Sequence, residues 1–150
     1  MALRPMAAQS AVSTTGARRL RAELLGGIQR LEHEIDKPVG DPSLRPGMTR
    51  AVAQLRAAFT EHVSATEGPS GLYAGLLEHA PRLARGLNEL VDEHRTVIST
   101  LDALQERLDD DSVEEAREHA AQLLREMWQH RQRGADLVYE AYATDIGGET

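Results

Sequence analysis

Apolar residues recur three and four positions apart along most of this chain, which is the spacing of one face of an α-helix. The clearest case is segment 82–108, whose apolar face contains Leu83, Leu87, Leu90, His94, Val97, Leu101, Leu104 and Leu108. Similar spacing predicts helices over 17–36, 47–67 and 113–142, and a short amphipathic connector over 72–80. No segment has the two-residue alternation of a β-strand. The pattern predicts an all-α, up-down-up-down four-helix bundle.

Composition supports this fold and narrows the function. The chain has 150 residues, 3% aromatic residues, no cysteine and a formal net charge of −7. An aromatic-poor core suits packed helices, and the missing cysteines exclude disulfides and thiolate metal sites. The acidic balance argues against a nucleic-acid partner. No stretch approaches the roughly 20 apolar residues of a membrane span, so we expect no membrane partner.

The division of the chain follows from its breaks. Pro- and Gly-rich stretches separate the predicted helices at 38–47 and 68–71. We expect residues 1–16 to be a flexible N-terminal tail without a secretory signal, 17–146 to form the bundle and 147–150 to be a C-terminal tail. A cytoplasmic location is the corresponding expectation. The sequence leaves the oligomeric state open.

The six histidines divide into two groups. His62, His94 and His130 lie on the apolar faces of three different predicted helices, whereas the other three lie off them: His33, His79 and His119. At a rise of about 1.5 Å per residue, the first group lies roughly 22, 21 and 27 Å along its helices from one end of the bundle. The predicted bundle therefore brings three imidazoles to one level.

Five of the six histidines directly follow a glutamate. Adjacent residues in a helix diverge by about 100°, so a Glu-His pair does not share a face. We interpret these pairs as ordinary charge patterning. The alternative for a single histidine on an apolar face is a core residue whose ring nitrogens find hydrogen-bond partners.

The three histidines and their neighbours resemble the hemerythrin-like, or HHE cation-binding, family, in the form of a small bacterial subgroup. The resemblance covers most of residues 17–148 and is strongest in Phe59–Gly68, Glu93–His94 and His130–Gly148. It implies a four-helix bundle that holds non-haem iron, as one or two ions. It also implies that a small diatomic ligand or peroxide is bound, for sensing, handling or iron storage.

The sequence departs from the family pattern at the metal ligands other than these three histidines. The first-helix histidine is missing, and the two glutamates expected one turn after the histidines are replaced by Thr66 and Gly134. Glu67 is one residue late, although the Gly68-Pro69 break after it could let its carboxylate curl over His62. Glu23 lies at the corresponding depth of the first helix. Gly134 either leaves a gap for a ligand or allows close helix packing.

The candidate metal ligands are therefore His62, His94, His130, Glu67 and Glu23. Imidazoles with one carboxylate suit one Fe(II), Zn(II) or Mn(II) ion with an open position. Two alternatives stay open: a degenerate, metal-free bundle with a structural or partner-binding role, and a redox enzyme that uses the same iron. Of these, an enzyme is the weaker expectation.

Overall fold

Five helices and a short 3-10 turn make up the protein in this computed structural model, which describes the backbone of residues 3–148 and the side chains of residues 16–143. The helices are α1 (Leu3–Ile35), α2 (Leu44–Glu67), α3 (Leu72–His79), α4 (Ala84–Arg107) and α5 (Val113–Gly148), and the turn (Pro81–Leu83) precedes α4. No strand occurs in residues 3–148, which confirms the all-α prediction. None of the described helices has an apolar stretch long enough to cross a membrane.

Three helix boundaries differ from the predicted ones by more than two residues. The backbone is helical from Leu3 and through Gly148, so α1 and α5 both extend into the predicted tails, whereas residues 1–2 and 149–150 lie outside the described residues. Helix α2 begins at Leu44, because Pro46 occupies its first turn, where a missing N–H costs nothing.

The four long helices pack around one apolar core. Helix α1 contacts α2 and α5, and α4 contacts the same two helices. Each helix contributes fully buried side chains to the core, among them Ile28, Leu55, Leu101 and Leu123. These residues lie on the apolar faces read from the sequence, and their burial is the main stabilising contribution to such a bundle.

Polar contacts show which helix ends meet. The Arg45 guanidinium, at the beginning of α2, donates to the carbonyls of Leu108 and Asp111 after α4. Arg117, near the beginning of α5, donates to the carbonyl of Lys37 after α1, at 3.2 Å. The ends of α1 and α4 and the beginnings of α2 and α5 therefore lie at the same end of the bundle.

A second, smaller apolar cluster lies toward the opposite end. It joins α3 to the 3-10 turn, to the first turns of α4 and to the last described turns of α5: Tyr73, Leu76, Ala80, Leu83, Leu87, Leu90 and Ala141. Gly86 permits close packing here, because a Cβ at this position would lie 2.8 Å from a methyl group of Leu137. The three histidines lie where this cluster meets the main core.

Candidate metal centre

The structure brings His62, His94 and His130 together from α2, α4 and α5. Their ligand nitrogens all lie within 4.8 Å of one another. The Nε2 atom of His130 is 3.3 Å from Nε2 of His62 and 3.1 Å from Nε2 of His94. His94 and His130 are buried, and His62 is half-buried. The apolar faces of three helices therefore converge on one cluster of imidazoles.

Phe59 forms the floor of the histidine cluster. This fully buried ring lies one turn before His62 in α2, and its centroid is 5.5 Å from the rings of His62 and His94 and 5.9 Å from that of His130. The rings of His94 and His130 meet Phe59 edge to face, the arrangement that aromatic quadrupoles favour. Phe59 thereby positions the imidazoles and separates them from the core below.

Two carboxylates orient two of the rings from outside the cluster. The Nδ1 atom of His94 lies 2.5 Å from Oε2 of Glu67, and Nδ1 of His130 lies 2.7 Å from Oε1 of Glu93. The other oxygen of Glu93 accepts from the Arg133 guanidinium. Each carboxylate accepts a hydrogen bond from the Nδ1–H group of its histidine, which keeps the proton on Nδ1 and so fixes the tautomer. The Nε2 lone pairs of His94 and His130 then face each other.

This arrangement fits a metal ion in two respects. With metal–nitrogen distances of 2.0–2.1 Å and tetrahedral angles, two ligating nitrogens lie about 3.3 Å apart. Two of the three pairs are close to this value, at 3.1 and 3.3 Å, and all three nitrogens lie within 4.8 Å of one another. Histidines that ligate metals also usually donate their second ring N–H to a carboxylate or carbonyl. A shared cation would relieve the contact between the lone pairs of His94 and His130.

The protonation equilibria favour neutral imidazoles. Burial lowers the pKa of His62 to about 3, and the neighbouring His94 and His130 lower it further in the same direction. Burial also lowers the pKa of His94 to about 4. The pKa of His130 is lowered by burial, against an opposing effect from its hydrogen bond to Glu93. Neutral imidazole is the form that binds a metal ion.

Tyr73 closes the cluster from α3. Its ring stacks on that of His94, with centroids 5.6 Å apart, and its hydroxyl lies 3.2 Å from Nε2 of His94. Burial raises the pKa of Tyr73 to about 12, so the hydroxyl stays protonated and can donate. The connector therefore covers the site. Two further tyrosines near this end of the bundle, Tyr139 and Tyr142, are exposed.

The two predicted carboxylate ligands do not join the cluster. Glu67 does not curl over His62 but accepts from Nδ1 of His94, on the side away from the facing Nε2 atoms. The carboxylate of Glu23 is about half exposed and lies 3.8 Å from Arg19. A side chain in the outward sector of a helix cannot turn inward without breaking that helix, and α1 is continuous at this point.

Sequence reasoning misses Glu93. Its place before His94 suggests charge patterning, yet Glu93 reaches across to His130 on the neighbouring helix. One signal in the sequence could have indicated this role. Glu93 directly precedes the inward-facing His94, so it lies on the side of α4 that borders α5. Thr66, one turn after His62 in α2, donates to the carbonyl of His62 at 2.8 Å.

A cavity opens beside the cluster. It has a volume of about 380 Å³, and its walls include His62, Thr66, Tyr73, His130 and Gly134. A Cβ at Gly134 would meet no atom within 4 Å, so this glycine leaves open space. Of the two roles open to Gly134, the structure supports a gap for a ligand.

Comparison with protein-family models, with curated proteins and with solved structures finds no significant match to this chain. The function must therefore be inferred from the site itself.

Proposed function

We propose that the protein binds one divalent metal ion through Nε2 of His62, His94 and His130, with an open coordination position toward the cavity. The observation that carries this proposal is the pair of buried rings, His94 and His130, whose carboxylate partners turn their Nε2 atoms toward each other at 3.1 Å. Two unprotonated nitrogens that face each other are stabilised little by packing alone, whereas a cation bound between them would stabilise both.

A hemerythrin-like bundle is the architecture we propose around this ion. The contacts of Arg45 and Arg117 support alternating helix directions. The three histidines match the second, third and fourth helices of that family, whereas α1 contributes Leu24 and Arg21 to the cavity wall. With fewer ligands than the family expects, a single non-haem iron is the favoured ion, and Zn or Mn also suits the same ligands.

The chain's own residues would do four things in this function. The imidazoles bind, and Glu67 and Glu93 orient two of them. Phe59 and the apolar cluster around α3 exclude water from two sides, and the Tyr73 hydroxyl can donate a hydrogen bond to a bound small molecule. When present, iron supplies reversible binding of a diatomic ligand or peroxide. Sensing, handling or storage all begin with this binding step.

Metal analysis after anaerobic reconstitution tests the proposal. The wild type should retain about one Fe(II) or Zn(II) per chain, and His62→Ala and His94→Ala should lose it. His119→Ala is the matched control, because His119 is exposed and faces Asp111 away from the cluster. Near-zero metal in the wild type, or equal metal in all four proteins, would contradict the proposal.

The second candidate function is a metal-free structural or partner-binding bundle. One observation favours it: the Tyr73 hydroxyl can donate to His94 at 3.2 Å, and His62 can donate to His130 at 3.3 Å. Such a network would give each ring a partner without a cation. It predicts the same thermal midpoint with metal and with chelator, whereas a bound metal raises the midpoint by mass action.

A further inference from the structure

The cavity beside the histidines differs from the rest of the surface in its charge. Its wall combines the imidazoles of His62 and His130 with apolar side chains and two arginines: Leu24, Leu72, Leu76, Leu90, Val138, Arg21 and Arg131. No aspartate or glutamate is among the described residues that line it, although acidic residues outnumber basic ones in the chain. The cavity is therefore locally cationic on an acidic protein.

Neither arginine has its charge matched by a described carboxylate. Arg131 packs its guanidinium over the ring of Trp128, 5.3 Å from the centroid. Arg21 forms no ion pair with a described residue. Elsewhere in the described structure, guanidiniums near this level do find acids, as Arg133 does with Glu93.

The cavity is also much larger than a diatomic molecule. A volume of 380 Å³ corresponds to on the order of ten water volumes. A ligand that filled it would contact both the cationic side and the leucines of α3 and α4. A pocket that combines one cationic group, which can bind an anion, with an apolar wall is typical of small-molecule sites.

We propose that this cavity binds a small amphipathic carboxylate, with its head between Arg21, Arg131 and the open metal position and its apolar tail against Leu72, Leu76 and Leu90. The inference rests on the proposed metal site, whose open position faces the cavity. The protonated hydroxyl of Tyr73 provides a further donor for the head. A chain of roughly six carbons fits the volume.

Calorimetric titration of the zinc-loaded full chain tests the inference. Hexanoate should bind, and its affinity should exceed that of acetate by up to about fourfold per added methylene. Hexylamine, which is cationic at neutral pH, should not bind. The fluorescence of Trp128, the only tryptophan, provides a second measurement. A carboxylate that binds Arg131 should change how the guanidinium packs on the indole and so change this fluorescence.

Three variants locate the ligand. Arg21→Gln and Arg131→Gln should each weaken hexanoate binding about tenfold, the effect of one charge-assisted hydrogen bond. Arg18→Gln and Arg125→Gln are matched controls on the same helices and outside the cavity wall. Gly134→Leu should greatly weaken hexanoate binding, because its side chain would enter the open space of the cavity that the ligand fills.

The two proposals fail in different ways. Normal zinc binding with no hexanoate binding, or with equal affinities for hexanoate and hexylamine, overturns the carboxylate inference and leaves the metal site standing. The carboxylate inference is also overturned if the arginine variants bind hexanoate as the controls do. If the wild-type chain binds no zinc in the metal analysis described above, the proposed function is overturned, and the proposed carboxylate at the open metal position is overturned with it.

Discussion

The main core and the histidine layer are built on the same helix faces but have different chemistry. Along α4, the inward positions run from Leu104 and Leu101 through Val97 to His94, and α2 and α5 change from apolar residues to histidine at the same level. Only α1 keeps an apolar residue there, Leu24. Periodicity decides what is buried, whereas the residues of a single layer decide what the protein can bind.

Phe59 joins the two regions, so its removal should have the largest effect. Phe59→Ala should lower the free energy of unfolding by about 3–5 kcal/mol and also weaken metal binding, because the imidazoles lose their floor. Leu101→Ala is the matched core variant. It should cost about 2–5 kcal/mol and leave the metal affinity unchanged. Chemical denaturation and metal titration of both variants check this difference, and an equal loss of metal affinity would contradict it.

The next largest effect should come from acid, which should destabilise the protein through the histidine layer and not through the main core. The pKa values of the folded-state histidines lie below the ordinary value, so the unfolded chain takes up protons first. In the metal-free protein, the contribution of these histidines to the free energy of unfolding is therefore fully present above about pH 6.5 and is lost as the pH approaches 4. The loss should be about 3 kcal/mol, because the partly solvated rings contribute less than fully buried ones. Urea unfolding at a series of pH values measures it. In His62→Leu the fall should be smaller, and an unchanged fall would refute the assignment to this layer.

The orienting carboxylates should affect metal and not folding. Glu67→Gln and Glu93→Gln each weaken the hydrogen bond to a histidine Nδ1, so metal affinity should drop about 10–100-fold. The thermal midpoint of the metal-free protein should change little, because both carboxylates are partly exposed. Glu89→Gln, an exposed residue of α4, is the control. Unchanged metal affinity in both variants would mean that the carboxylates play no positioning role.

The smallest expected effect is on metal-free stability when His62 itself is replaced. His62→Leu removes a half-buried polar ring and adds apolar contact, so the free energy of unfolding without metal should stay within about 1 kcal/mol of wild type. The stabilisation by added metal should disappear. A loss of several kcal/mol without metal would show that His62 is a structural residue of the core.

Much of this architecture could be predicted from the sequence. The apolar spacing predicted the four long helices, and the depths of His62, His94 and His130 predicted their meeting. Helix periodicity assigns each residue a direction, and that was enough for these positions.

Contacts between helices could not be predicted in the same way. Glu93 binds a histidine on another helix, and Glu67 turns to His94 instead of His62. Both depend on the rotation of one helix against the next, which periodicity within a single helix does not determine. The predicted start of α2 is wrong for a local reason, because Pro46 serves a first helical turn as readily as a loop.

X-ray absorption of the zinc-loaded protein tests whether three imidazoles hold one ion. We predict about three nitrogen neighbours at 2.0–2.1 Å, with the outer-shell scattering of imidazole rings, and a loss of about one ring in His62→Leu. A coordination shell without imidazole scattering, or one that is identical in the variant, would contradict the three-histidine site.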